Sequence, residues 1–240
     1  MLLGVAGLVP GDWKSIDGAV LDNVAEHGFK TVQIRVTDPQ SLKDSDVTRL
    51  KAMFSGRGFA MPQTVGNYGG KLIAEDESER REEIKFVKRM VNLTARLGSP
   101  NTYLRPGSLN PKGGWLPHPQ NHSPEVWDRL VDSTKQICRV AENEGIMIAV
   151  EGGVVCPVSS PQKMKDLIDE VGSKNLGFNM DPVNFVGGVE DVGVAILAQR
   201  EDLPVVCPGR RRELDGDTTY SRAPEHLLTR IGIMARQEPL

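Results

Sequence analysis

Residues 146–181 read IMIAVEGGVVCPVSSPQKMKDLIDEVGSKNLGFNMD. Two apolar, strand-like runs, IMIAVEGG from Ile146 and LGFNMD from Leu176, flank SPQKMKDLIDEVG, a segment with its own helix start and stop signals. Ser160 supplies a hydroxyl N-cap, Pro161 fits the first helical position because its missing N–H costs nothing there, and Gly172 suits a left-handed C-terminal cap. Strand, helix and strand make a βαβ unit, whose right-handed crossover sets the strands parallel. Glu151 and Asp181, at the ends of the two runs, therefore emerge at the same C-terminal edge of one sheet. Two carboxylates converging there suit a divalent metal or a proton-transfer site better than a packed core.

The pattern repeats outward. Strand-like runs are predicted at 2–9, 31–36, 58–65, 101–106, 146–151, 176–181 and, more weakly, 203–207. Most are near-continuous apolar runs, as in parallel strands buried on both faces. Amphipathic helices are predicted over 12–27, with Trp13, Ile16, Val20 and Val24 on one side, and over 75–97, with Ile84, Val87, Val91 and Thr94 inward. Ser123-Pro124 opens another helix, which Gly145 ends. The expected fold is α/β, a single-domain eight-fold β/α barrel over 1–240. It reads as incomplete at the C-terminal end, because no eighth strand is visible in the atypical segment 200–240. A doubly wound open sheet is the competitor. No GxGxxG or GxxxxGK[ST] follows any run, which weakens its nucleotide-binding form.

Composition sets limits on function. The chain of 240 residues carries a net charge of -3, which gives no hint of nucleic acid or an anionic membrane as partner. Arg210, Arg211 and Arg212 are a short basic exception. No stretch approaches the roughly 20 apolar residues that span a bilayer, and MLLGVAGLVPGDW reads as a buried strand rather than a signal peptide. Cys138, Cys156 and Cys207 are far apart and odd in number, which fits structural thiols in a reducing, cytoplasmic setting.

In a β/α barrel the chemistry gathers at the C-terminal ends of the strands. Those ends present Arg35 and Thr37, Gln63 and Asn67, Arg105, Glu151, then Asp181 and Asn184. A carboxylate buried in an apolar strand is expensive unless paired or bound to a metal, so a Glu151–Arg105 salt bridge is the bland alternative. Oxygen ligands favour Mg²⁺ or Mn²⁺; an added imidazole admits Co²⁺ or Zn²⁺. The loop PGSLNPKGGWLPHPQNHS, 106–123, has the length of a lid or binding loop. It offers Trp115 as a flat face for a sugar, and His118 and His122 as donors. Gly152-Gly153 permits close approach of a ligand or is a plain tight turn.

The segments NTYLRPGSLNPKGGWLPHP (101–119), AENEGIMIAVEGG (141–153) and SPQKMKDLIDEVGSKNLGFNMDPVNF (160–185) resemble the sugar phosphate isomerase/epimerase group of the xylose isomerase-like barrels. That superfamily also holds tagatose and psicose 3-epimerases, hydroxypyruvate isomerase, inosose dehydratase and endonuclease IV. The resemblance implies a divalent metal held by Glu, Asp, His and Glu on the fifth to eighth strands, with the two Glu residues as acid and base. Glu151 and Asp181 match the first two. Asn184 stands where the epimerases often have His. After the seventh run the chain reads LPVVCPGRRRELDGDTTY (203–220), without the expected His. His226 is the sole later imidazole, in the helix-like PEHLLTRI.

The implied activity is metal-dependent isomerisation or epimerisation of a sugar or sugar phosphate through an enediolate. Glu151 would serve as acid–base group and metal ligand, with Arg105, Trp115, His118, Asn184 and Gln63 on the substrate. Loss of the two C-terminal ligands implies a poor enzyme. The alternatives are a non-catalytic barrel fragment or sugar-binding pseudoenzyme, and an inosose-type dehydratase. Four histidines, none at a strand end, argue against a three-metal nuclease. A homo-oligomer stays open.

Overall fold

The computed structural model describes residues 4–6 and 8–185. Its strands are β1 (Gly4–Val5), β2 (Thr31–Val32), β3 (Ile34–Val36), β4 (Thr64–Gly66), β5 (Asn101–Leu104), β6 (Met147–Val150) and β7 (Leu176–Phe178). Its helices are α1 (Gly18–Glu26), α2 (Asp44–Ser55), α3 (Glu77–Leu97), α4 (Pro124–Glu144) and α5 (Pro161–Val171). Every strand pair is parallel: β1 with β2, and β3 to β7 side by side in chain order. The pieces β2 and β3 flank Gln33, whose N–H bonds Val5 O, while the Ile34 N–H bonds Gln63 O, so together they bridge the two sheets.

Alternation along the strands decides which side chains line the site. Ile148, Val150, Leu176 and Phe178 are fully buried against the helices. The intervening positions face the inside of the curved sheet. Register pairs Tyr103 with Ala149 and Ala149 with Gly177. Two residues further on, this row brings Arg105, Glu151 and Asn179 side by side. The Glu151 N–H bonds Leu104 O and the Asn179 N–H bonds Val150 O, which extends the pairing to that level.

Between sheet and helices lie two cores. One joins α3, α4 and α5 to β5, β6 and β7, with Val87, Leu130, Ile137 and Leu167 among its members. The other packs α1 and α2 against β3, through Leu21, Val24, Leu50 and Phe54. Each fully buried aliphatic or aromatic side chain contributes about 1.5–3 kcal/mol relative to exposure. Where α3 meets the sheet, Thr64 Oγ1 bonds Thr94 and Thr102, so buried hydroxyls are satisfied by one another. Cys138 and Cys156 are buried thiols, pushed up to about 12 and about 11 by burial.

The helix signals act as the sequence implies. Ser123 Oγ and Ser160 Oγ accept from the N–H groups of Val126 and Lys163, and Gly145 and Gly172 end α4 and α5 at φ 67°. Two expectations are corrected. The helix predicted over 12–27 splits into a 3₁₀ turn, Trp13–Ser15, and α1, because Asp17 caps a new start by accepting from the Val20 N–H. Leu21 rather than Val20 then joins the core. The strand predicted over 58–65 is paired as β4 only from Thr64, apart from a bridge at Ala60. Pro62 has no N–H for the ladder, and its carbonyl accepts from Asn101 Nδ2 instead. The predicted strand at 203–207 and the expected absence of an eighth strand lie outside the described residues, as do Cys207, Arg210 to Arg212 and His226. No described helix is long and apolar enough to cross a membrane.

Candidate active site

Glu151 follows β6 and is 8% exposed. Three side chains donate to its carboxylate: Tyr103 Oη to Oε1 at 3.1 Å, Asn184 Nδ2 to Oε1 at 3.1 Å and Asn179 Nδ2 to Oε2 at 2.7 Å. A carboxylate has about four lone-pair sites, so Oε2 keeps room for one further partner. Burial, and then the charge of Asp181, raise the Glu151 pKa above the ordinary carboxylate range; Tyr103, Arg105 and Asn184 pull it back. Asp181 lies two residues beyond Asn179 on the neighbouring strand, so both carboxylates stand at the same edge of the sheet.

Arg105 is 7% exposed, and its Nη1 lies 3.9 Å from Glu151 Oε1. That is an ion pair without a hydrogen bond. Arg105 Nε and Nη1 have no hydrogen-bond partner among the described residues, and burial lowers the guanidinium pKa. The bland alternative of a closed Glu151–Arg105 salt bridge is thus met only in part: the charges are adjacent, but the fork of donors is not spent on the carboxylate. The guanidinium stacks on the ring of Trp115. Trp115, Arg105 and Glu151 form a short column leading in from the surface, with Trp115 59% exposed.

The loop carrying Trp115 is bonded to itself. Ser108 Oγ donates to Leu116 O, and Asn110 Nδ2 to Pro117 O. Buried Asn121 donates to Ser108 Oγ and to Val155 O, tying the loop to the one after β6. His118 caps the 3₁₀ turn Pro119–His122 by accepting from the Gln120 N–H, and it lines a cavity of about 260 Å³ with Lys71, Asp76 and Glu79. His122 is exposed.

Gln63 is buried and fully engaged: Nε2 donates to Asn101 Oδ1 and Asn179 Oδ1, and Oε1 accepts from Gln33 Nε2. Arg35, Thr37 and Asn67, by contrast, are exposed. Asn184 and Asp181 both lie at the start of the turn after β7, where the Asn184 N–H bonds Asp181 O. Gly152 is fitted to the fold rather than to a ligand, since a Cβ there would lie 2.5 Å from Val158 O and 2.9 Å from the Phe185 ring.

Two members of the cluster escaped the reading of strand ends, Tyr103 and Asn179. Each lies two residues before a residue that was singled out, Arg105 and Asp181. The period of two along a strand puts them on the same face, a signal present in the sequence. Among the described residues no group of three or more His, Cys, Asp or Glu side chains converges as a metal site. Glu151, buried, and Asp181, half-buried, nonetheless offer the oxygen donors that a hard divalent cation takes.

Several solved structures share this fold. L-ribulose 3-epimerase superposes with a TM-score of 0.70 at 15% identity, over 84% of this chain and 67% of that one. D-psicose 3-epimerase from Clostridium cellulolyticum H10, solved with D-tagatose, gives 0.69 at 17% identity over 85% and 71%. A xylose isomerase-like TIM barrel protein from Mycobacterium smegmatis, in complex with magnesium, gives 0.60 at 18% identity over 77% and 66%. No curated protein matches the sequence. The sequence pattern of one family, described as xylose isomerase-like TIM barrel, matches residues 21–212. With parallel strands in chain order and the polar cluster at their C-terminal ends, this chain belongs to the xylose isomerase-like TIM barrel family.

Proposed function

We propose that this protein acts on a sugar or sugar phosphate as a divalent-metal-dependent isomerase or epimerase, with Glu151 as the proton-transfer group. The observation that carries the reading is the state of Glu151: buried, beside a second carboxylate, with a raised pKa and one oxygen left partly open. A general base works best when its pKa lies near the operating pH, and burial moves a carboxylate in that direction. The epimerases among the structural neighbours, and the magnesium complex, support the choice of sugar and metal.

Glu151 and Asp181 would hold the cation, with Mg²⁺ or Mn²⁺ favoured by their oxygen donors and Co²⁺ or Zn²⁺ less so. Such a cation supplies Lewis acidity toward the oxygens of a hydroxy-ketone. The chain's own residues do the rest. Glu151 accepts the proton from the hydroxyl-bearing carbon next to the carbonyl, the electron pair passes into the enediolate, and a proton returned to carbon completes the turnover. Tyr103, Asn179 and Asn184 fix its carboxylate plane. Arg105 turns its unspent N–H groups to a substrate oxygen or phosphate, and Trp115 shields that contact from water.

The test is C3 epimerisation of ketoses and ketose–aldose isomerisation with Mn²⁺, Co²⁺ or Mg²⁺, for this chain and for Glu151→Gln. Loss of about 10²–10⁴-fold in kcat is expected for the variant, the usual contribution of one acid–base group. Undiminished turnover in Glu151→Gln would exclude the role. A dehydratase would be recognised by loss of water from an inosose-type substrate. A second reading, sugar binding without turnover, draws on residues 203–220, which lack the His expected of the family. It predicts saturable binding and no product with any of the three metals.

A further inference from the structure

We infer that Gln33, Gln63 and Asn179 form a one-way amide relay across the inside of the sheet that fixes the orientation of the Glu151 carboxylate. The inference rests on the reading of Glu151 as the working carboxylate. The links are Gln33 Nε2 to Gln63 Oε1 at 2.6 Å, Gln63 Nε2 to Asn179 Oδ1 at 3.1 Å and Asn179 Nδ2 to Glu151 Oε2 at 2.7 Å. They join the β2–β3 junction, the approach to β4, and the ends of β7 and β6.

The direction follows from chemistry at both ends. An ionised carboxylate only accepts, so Asn179 must offer it the NH₂ side of its amide. The Asn179 carbonyl then faces Gln63, which must donate. Gln63 Nε2 also donates to Asn101 Oδ1 at 2.8 Å, and Asn101 is itself oriented by donating to Pro62 O at 2.8 Å. With both N–H groups spent, Gln63 has only its carbonyl for Gln33. A flip of any one amide would set two like groups against each other. Aligned hydrogen bonds polarise one another in a low-dielectric interior, so the relay strengthens the donor that Glu151 feels. Asn179 spends one lone pair of Oε2 and leaves its other side open.

Outer partners of a metal-holding side chain affect binding by about 10–100-fold when removed. Gln63→Met keeps length and removes every bond. Gln63→Glu is the sharper change, because a carboxylate cannot donate to Asn179 and forces that amide to turn its carbonyl toward Glu151. Thr64→Val is the control: it breaks the adjacent buried hydroxyl cluster on the helix side of β4 without touching the relay.

Two readouts are needed. In the metal-free protein, the Asn179 side-chain ¹H–¹⁵N and Glu151 ¹³Cδ resonances should move in both Gln63 variants and stay in Thr64→Val. In Mn²⁺ titrations followed by electron paramagnetic resonance, both Gln63 variants should bind about 10-fold more weakly or worse. Gln33→Met should lose only a few-fold, and Thr64→Val nothing. Resonances unmoved by Gln63→Met and Gln63→Glu would overturn the relay, whatever the metal does. Moved resonances with unchanged Mn²⁺ affinity would reduce it to a structural tie and overturn the orienting role. A wild-type chain that holds no Mn²⁺ would instead remove the metal-holding reading of Glu151, with the resonances still deciding the relay.

Discussion

At the scale of single residues, burial alone does not make Glu151 a site, because Glu83 is also a carboxylate with a pKa raised by burial. The difference lies in the partners. Glu83 Oε1 accepts from the Gly69 N–H at 2.8 Å and pins the loop after β4, where Lys71 rather than a second carboxylate is the charged neighbour that acts on it. Its raised pKa means that the folded protein binds the Glu83 proton more tightly than the unfolded chain does. The stability from this group is therefore full below the ordinary carboxylate pKa and lost as pH rises through the raised value. Glu83→Gln keeps an acceptor for Gly69 but does not titrate. The difference in melting temperature between wild type and variant should shift in favour of the variant as pH rises from about 4 to 7. A difference constant with pH would contradict the shift. Trp115 gives the opposite contrast. It is mostly exposed, so Trp115→Ala should change stability by less than about 1 kcal/mol while weakening sugar binding several-fold. A large fall in melting temperature with unchanged sugar affinity would make it a loop anchor instead. The strand-end positions of Glu151, Asp181 and Arg105 were legible because polar residues stand out in apolar runs. The engagement of Gln63 was not, since its partners lie 30, 38 and 116 residues away along the chain.

At the scale of elements, the caps and the parallel order could be read directly, because a Ser-Pro start and a Gly stop act within a few residues of themselves. Strand lengths could not. Apolar runs continue past the paired residues, and β6 and β7 end before Glu151 and Asp181. The exposed Arg35, on the face of β3 opposite Ile34 and Val36, pairs in register with apolar Val65 and lies outside the Glu151 cluster. The turn after β6 is tightly fitted. Gly152→Ala should cost about 1–3 kcal/mol by overpacking against Val158 and Phe185. Gly153→Ala, whose Cβ would lie 3.3 Å from Asn184 Cβ, should cost less, while disturbing a donor to Glu151. Urea midpoints of the two variants, compared with Mn²⁺ affinity, separate these effects; equal losses in both would refute the distinction.

At the scale of the whole molecule, the family's fold is carried by repeated βα units, so spacing pointed to a barrel with an open sheet as competitor, and the resemblance of segments 101–119, 141–153 and 160–185 named the family. The segment beyond residue 200 reads differently from the family, and the functional consequence is testable. Replacing segment 200–240 by one with a His at the end of the seventh run and a Glu-terminated eighth strand should raise kcat by about 10²–10⁴-fold, the worth of one proton-transfer group. Full activity in the unrestored chain would show that its own C-terminal residues already suffice. The amide relay has a further consequence, for the order of assembly. Each βα unit closes over a short stretch of chain, but the bond from Gln63 to Asn179 joins residues 116 apart. Long closures come late, because their entropy must be met before the contact rewards it. The strands can therefore stack and the helices dock while Glu151 is still free to turn, and the site becomes competent only when the sheet has curved far enough for its two sides to touch. Appearance of Mn²⁺ affinity during refolding is expected to lag behind the helical signal, which makes the metal a clock for closure.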